Sequence, residues 1–261
     1  MRIQAAAVGM AMVLVACGHQ AQSAPPSSKL EQAVTGTTNR VTAGSVDPDP
    51  RVGAVFLSGS DLHACTGSVL HSAAGNLVLT AAHCLSAGGP VRFVPGFAST
   101  AAPDDMWTVD GLYLDPRWLA NKDPLVDYAI ARVSRPAGGS VEALVGSALT
   151  LGTAPTRGSR VTVVAYPAGV GGLPIGCQAN TGLSDGGYPE LPCAGLVDGT
   201  SGAPWITGST VTGVIGGLHG GGCAENLSYS SPFDQHIAQL FARAQAGGPG
   251  DAAPQSFEDE C

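Results

Sequence analysis

Charge is scarce in this chain. Only 12% of its 261 residues are charged, 12 basic against 20 acidic, for a formal net charge of −8. That balance offers no basic stripe to a phosphate backbone and is repelled by anionic lipid. Nucleic acid and anionic membranes are thereby excluded as principal partners. Long helical periodicity is missing as well. Thirty-seven glycines and nineteen prolines interrupt short valine-rich runs, a pattern of strands and tight turns. No His/Cys spacing resembles a zinc site. Gly169-Val170-Gly171-Gly172 lies beside prolines and leads into no helix, so it reads as a flexible surface loop and not a phosphate cradle. No metal and no cofactor are expected.

What is present begins at the N-terminus. Arg2 precedes an apolar stretch over residues 5–16, which suits a signal-peptide core and is too short to span a membrane. It ends Leu14-Val15-Ala16-Cys17-Gly18, which resembles the bacterial lipobox, with lipidation of Cys17 as the implied outcome. The alternative is an ordinary secretory signal from which Cys17 is discarded. Either route exports the protein, as a secreted or lipid-anchored species at the surface of a bacterium. Residues 18–40 are rich in Gln, Ser, Pro and Thr without apolar periodicity and read as a linker or propeptide. Seven cysteines fit an oxidising compartment.

Strand candidates cover residues 52–57, 66–70, 77–81, 91–94, 107–114 and 128–133. After Pro136-Ala137-Gly138-Gly139 they resume at 160–166, 176–181, 203–207 and 211–215. The expected organisation is one half over 41–145 and a second over 146–245. A helix is expected from Ser231-Pro232, with Phe233, Ile237, Leu240 and Phe241 at helical spacing. Residues 246–261 form a tail, mobile unless Cys261 ties it down.

Three short frames carry chemistry. They are Leu79-Thr80-Ala81-Ala82-His83-Cys84, Asp127-Tyr128-Ala129-Ile130-Ala131-Arg132-Val133 and Asp198-Gly199-Thr200-Ser201-Gly202-Ala203-Pro204. A serine hydroxyl is too weakly acidic to attack an amide at neutral pH. It needs an imidazole to take its proton and a carboxylate to orient and stabilise that imidazole. His83, Asp127 and Ser201 supply these parts. Asp110, Asp115 and Asp123 are rivals for the acid. Asp127 is preferred because the alternating Ala129, Ile130 and Val133 after it would start a buried strand.

These frames resemble the trypsin/chymotrypsin-like peptidases, particularly secreted bacterial members, from about residue 41 to residue 241. The order His, Asp, Ser is that of chymotrypsin, whereas α/β-hydrolases run Ser, acid, His. The resemblance implies an all-β fold of two antiparallel six-stranded barrels with a C-terminal helix. It implies a monomeric serine endopeptidase acting on polypeptide through an acyl-enzyme, with an oxyanion hole from the backbone N–H groups of Gly199 and Ser201. It places the floor of the specificity pocket near Gly195 and its wall at Ile215, Gly216, Gly217 and Leu218. Glutamate-specific relatives carry histidine where Ile215 lies, with His219 the nearby substitute, but a neutral pocket for apolar or small side chains is preferred. Gly216 and Gly217 would pair with substrate backbone.

Among the cysteines left after Cys17, fifteen pairings are open. The resemblance supports Cys65–Cys84. Cys177–Cys193 reads as a local bridge upstream of the serine loop, which would leave Cys223–Cys261, with Cys193–Cys223 as the competitor. The pattern breaks at Thr200, where much of the family has an Asp that receives a new α-amino group after cleavage. Arg40-Val41-Thr42-Ala43-Gly44 nevertheless resembles such a junction. Two rival readings stand: a non-catalytic protease-like binding module, and an enzyme that processes its own linker.

Overall fold

The computed structural model describes residues 41–85, 89–222, 224 and 226–254. The expected signal, linker and Cys17 lie outside these residues, as do Cys223 and Cys261. After the short β1 (Gly44–Ser45), the first half contains β2 (Val52–Phe56), β3 (His63–Leu70), β4 (Leu77–Thr80), β5 (Arg92–Pro95), β6 (Trp107–Leu114) and β7 (Ala129–Ser134). They close into a barrel in the order β2-β3-β4-β7-β6-β5. Val, Leu, Ile and aromatic residues dominate β2 and β4, while β3 mixes them with small polar residues. Closure buries one face of every strand and leaves no open edge. Phe93, Trp107, Tyr113 and Leu114 are among its fully buried side chains, each worth about 1.5–3 kcal/mol in burial.

The second half contains β8 (Thr150–Leu151), β9 (Arg160–Ala165), β10 (Ile175–Asn180), β11 (Gly182–Leu183), β12 (Pro189–Leu191), β13 (Pro204–Thr207), β14 (Thr210–Val214) and β15 (Ser228–Tyr229). One sheet runs β1-β10-β9-β13-β14-β8, and a smaller one runs β11-β12-β15. The architecture is all-β and chymotrypsin-like, and β1, from the expected first half, pairs with β10 in the second half's sheet. The two-residue strands escaped the sequence reading because two residues cannot display a period.

Helices are few. α1 (Pro116–Asn121) starts at an Asp-Pro pair, with Asp115 capping the Arg117 N–H; α2 (Val141–Val145) is capped by Ser140. The C-terminal α3 (Gln235–Gln245) buries Ile237, Leu240 and Ala244. It starts later than the Ser231-Pro232 expectation because the Asp234 carboxylate accepts the His236 N–H at 2.8 Å and fixes the cap there.

The expectation of a mobile tail fails for residues 246–254. Tyr113 donates to the Gly248 carbonyl at 2.8 Å, and the Asp251 carboxylate accepts the Leu114 N–H at 2.8 Å. Arg243 grips both oxygens of Asp251, at 2.8 and 2.7 Å. Burial alone would push the Asp251 carboxyl up, but these partners hold it below the usual carboxylate range. With the folded value depressed, the clamp's stabilisation is present above the ordinary carboxylate range and lost as pH falls through the lowered value. Asp251→Ala should cost about 1–2 kcal/mol at neutral pH, discounted for the solvent around Arg243. Calorimetry should show a Tm about 2–8 °C lower, and a gap that narrows in acid. An unchanged Tm would mean the tail contributes nothing.

Candidate active site

His83 follows the end of β4, in a 3-10 turn His83–Leu85. Asp127 closes the 3-10 turn Pro124–Val126, two residues before β7 begins at Ala129. β4 and β7 are paired neighbours, with Thr80 opposite Ala129, so the two side chains leave the same end of the barrel. The His83 Nδ1–H donates to Asp127 Oδ2 at 2.8 Å, and the His83 backbone N–H donates to Oδ1 at 2.9 Å. A third donor, the Gly217 N–H, reaches Oδ2 at 2.8 Å. The Asp127 side chain is only 1% exposed. Burial alone would raise its carboxyl, but the His83 imidazole and the hydrogen bonds from Gly217 and His83 outweigh burial and hold it below the usual carboxylate range. The rival acids are occupied elsewhere: Asp115 pairs with Arg117, Asp110 with Arg132, and Asp123 accepts the Leu125 N–H.

Ser201 precedes β13. Its carbonyl accepts the Thr66 N–H of β3 at 2.8 Å. The residue before Thr66 is Cys65, which is bridged to Cys84, the neighbour of His83. Strand β3 thus ties the serine turn to the histidine turn. Gly202 is required there, because a Cβ would overlap the Thr66 carbonyl and the Thr80 hydroxyl, at φ +80°. Gly199 is required too: at φ +88° a Cβ would run into the Ala168 backbone. Among the described residues, the N–H groups of Gly199 and Ser201 have no protein acceptor. They remain free to bind an anion.

Beside Ser201 lies a cleft of about 540 Å³. Leu196, Val197 and Ile215 give it apolar walls, Ser228 adds a hydroxyl, and Asp198 is the one charged side chain among its described lining. Gly195 itself faces Thr42 and Ala43, where Ala194 pairs with Thr42, and the next residue, Leu196, lines the cleft. Gly216 and Gly217 sit beneath Asp127. The Gly216 N–H donates to Tyr229 at 3.1 Å, and the Gly217 N–H is the third donor to Asp127, so neither N–H is free for substrate. Leu218 and the exposed His219 lie in a following 3-10 turn outside the described lining.

Thr200 carries no charge, yet its loop is closed locally. Its N–H and hydroxyl both donate to the Val197 carbonyl, at 3.1 and 2.7 Å. Val41 is 38% exposed and its carbonyl accepts the Ala194 N–H at 2.9 Å. The Gly169–Gly172 loop is fastened, contrary to expectation. Gly169 exchanges backbone hydrogen bonds with His63 at 3.0 and 3.1 Å, and the His63 Nε2–H donates to Gly171 at 2.8 Å.

Cys177–Cys193 is bridged, as is Cys65–Cys84. Cys65, His83 and Cys84 lie close enough to suggest a metal site, but sulfurs joined in a disulfide offer no thiolate. Sequence reading missed Gly217 as a donor to Asp127, and Ser231, whose hydroxyl accepts the Asp127 N–H at 3.0 Å. Neither carries a motif of its own.

A search of curated proteins finds no match. Among solved structures, the protease Anisep from Arthrobacter nicotinovorans is 25% identical, with TM-score 0.67 over 78% of this chain and 100% of that chain. The thermostable serine protease AL20 from an extremophilic microorganism is 24% identical, with TM-score 0.65 over 76% and 98%. Human heparin binding protein shares the fold at 17% identity, with TM-score 0.65 over 81% and 100%. Residues 65–218, more than half of the chain, match the family described as the trypsin-like peptidase domain. The chain therefore belongs to that family, among the trypsin/chymotrypsin-like peptidases.

Proposed function

We propose that the protein is a serine endopeptidase in which Ser201 is the nucleophile, His83 the general base and Asp127 its orienting carboxylate. One observation carries the reading: a buried carboxylate accepts the Nδ1–H and the backbone N–H of a single histidine at 2.8 and 2.9 Å. With Nδ1 protonated, Nε2 is left as the basic nitrogen.

Attack of Ser201 Oγ on the scissile carbonyl transfers the hydroxyl proton to His83 Nε2 and places negative charge on the carbonyl oxygen. The N–H groups of Gly199 and Ser201 receive that charge. Collapse expels the amine, which takes the proton from His83, and leaves an ester on Ser201. Water, deprotonated by His83, then hydrolyses the ester and releases the acid. Leu196, Val197 and Ile215 in the cleft wall support a preference for apolar or small side chains before the scissile bond.

The self-closed Val197–Thr200 turn supports activity without a free Val41 amine. Two disulfides suit an oxidising compartment, which agrees with export directed by residues 1–17, with 18–40 as a linker. Intact-mass analysis after fluorophosphonate treatment tests the reading. One adduct is expected, mapped to Ser201, absent from Ser201→Ala, and equal before and after trimming at Arg40. A folded protein that takes no adduct would sink the proposal.

A further inference from the structure

Every hydrogen-bonding group of Thr66 is engaged around the nucleophile loop. The residue is fully buried in β3. Its N–H donates to Ser201 at 2.8 Å, and its carbonyl accepts the Thr80 hydroxyl at 2.7 Å. Its hydroxyl does two further things: it donates to the Gly199 carbonyl at 3.0 Å and accepts the Tyr166 N–H at 2.9 Å. A hydroxyl has one proton and two lone pairs, so both bonds can exist together.

The geometry points to Thr66 as a positioning residue for the oxyanion site, an inference that rests on Gly199 and Ser201 being its donors. Peptide units are planar, so fixing the Gly199 carbonyl sets the plane between Gly199 and Thr200. The Thr66 N–H fixes the next landmark, the Ser201 carbonyl. The segment between these anchors contains the Ser201 N–H, and the segment before them contains the Gly199 N–H. The same hydroxyl also holds Tyr166. Two residues on, the Ala168 N–H donates to Asp198 at 2.7 Å, and the Ala168 backbone is what a Cβ at Gly199 would strike. One side-chain oxygen thus orders the loop directly and the wall it leans on. Removing it leaves a buried carbonyl and a buried N–H without partners, and the loop must shift to satisfy them.

Thr66→Val keeps the shape and deletes the hydroxyl, whereas Thr66→Ser keeps the hydroxyl. Losing an oxyanion donor outright costs about two to three orders of magnitude in rate, so displacing the pair should lower kcat roughly 10- to 30-fold. KM should change less than about 3-fold, and the pH midpoint of kcat/KM should stay put, since His83 and Asp127 are untouched. Thr66→Ser should recover kcat to within about 3-fold of wild type. Hydrogen exchange should accelerate over residues 197–203 in the valine variant and not in the serine variant.

The proposal is overturned by wild-type kcat in Thr66→Val, by a serine variant as slow as the valine one, by a change confined to KM, or by a moved pH midpoint. Thr66→Ala takes the place of the valine variant if that one does not fold. If neither folds, Thr66→Ser decides, and loss of its kcat refutes the role. A wild type without Ser201-dependent hydrolysis would sink the peptidase reading instead. Exchange would then judge Thr66 alone: unchanged protection over 197–203 in the hydroxyl-free variant rejects it.

Discussion

Ser201→Ala should lower kcat/KM for peptide hydrolysis by about a million-fold while the protein melts at nearly the wild-type temperature. The two halves of that expectation have separate causes. The rate falls because alanine has no oxygen to form the ester, and the neighbouring Thr200 points its hydroxyl at Val197 instead. Residual turnover of about 10³ over water would remain from the oxyanion donors and substrate binding. The fold survives because residues 201 and 202 enter this turn through their backbone: the Ser201 carbonyl accepts the Thr66 N–H at 2.8 Å and the Gly202 N–H donates to the Ile215 carbonyl at 2.7 Å. Steady-state hydrolysis of a peptide, beside a thermal melt, checks both. A variant that keeps more than about a thousandth of wild-type activity would place the nucleophile elsewhere.

The three frames were legible because each compresses its constraint into a few consecutive residues. Glycines at 199 and 202 stand where the backbone has φ of +88° and +80° and no room for a Cβ, which forces a composition the eye can find. Asp127 could be preferred over its neighbours because the strand after it, β7, begins at Ala129 with the alternation already visible. Gly217 and Thr66 left no such trace. Their bonds to Asp127 and Gly199 cross 90 and 133 residues of chain, and a backbone N–H or a threonine hydroxyl looks the same in sequence whatever it holds. Counting back from the serine reached the right stretch, since Leu196 lines the cleft, but could not show that Gly195 itself faces Thr42 and Ala43. The tail misled for the same reason: one arginine and one aspartate eight residues apart do not announce a clamp.

Asp127→Asn should lower kcat by about 10⁴-fold with little change in KM. The carboxylate serves as acceptor at both oxygens: His83 N–H at Oδ1, and the His83 Nδ1–H together with the Gly217 N–H at Oδ2. An amide has one acceptor and one donor end, so no orientation satisfies all three. With its nitrogen toward Gly217, two N–H groups face each other and His83 Nδ1 becomes the acceptor. The proton then sits on Nε2, and the base that Ser201 needs is gone. With its nitrogen toward the His83 backbone, the tautomer survives but a buried N–H is left facing another donor. In either case the charge that stabilises the imidazolium during attack has disappeared from a site where solvent cannot replace it. Stability should respond with a definite sign as well. Because the folded-state value of Asp127 lies below the ordinary carboxylate range, its contribution is present above that range and lost as pH falls through the lowered value. Wild type should therefore be more stable than the variant at neutral pH, and the difference should close on acidification. Peptide hydrolysis and denaturant unfolding across pH measure the two effects. A variant within tenfold of wild-type kcat would mean that this carboxylate does not hold the base, and the assignment of Asp127 over Asp115 and Asp123 would fall with it.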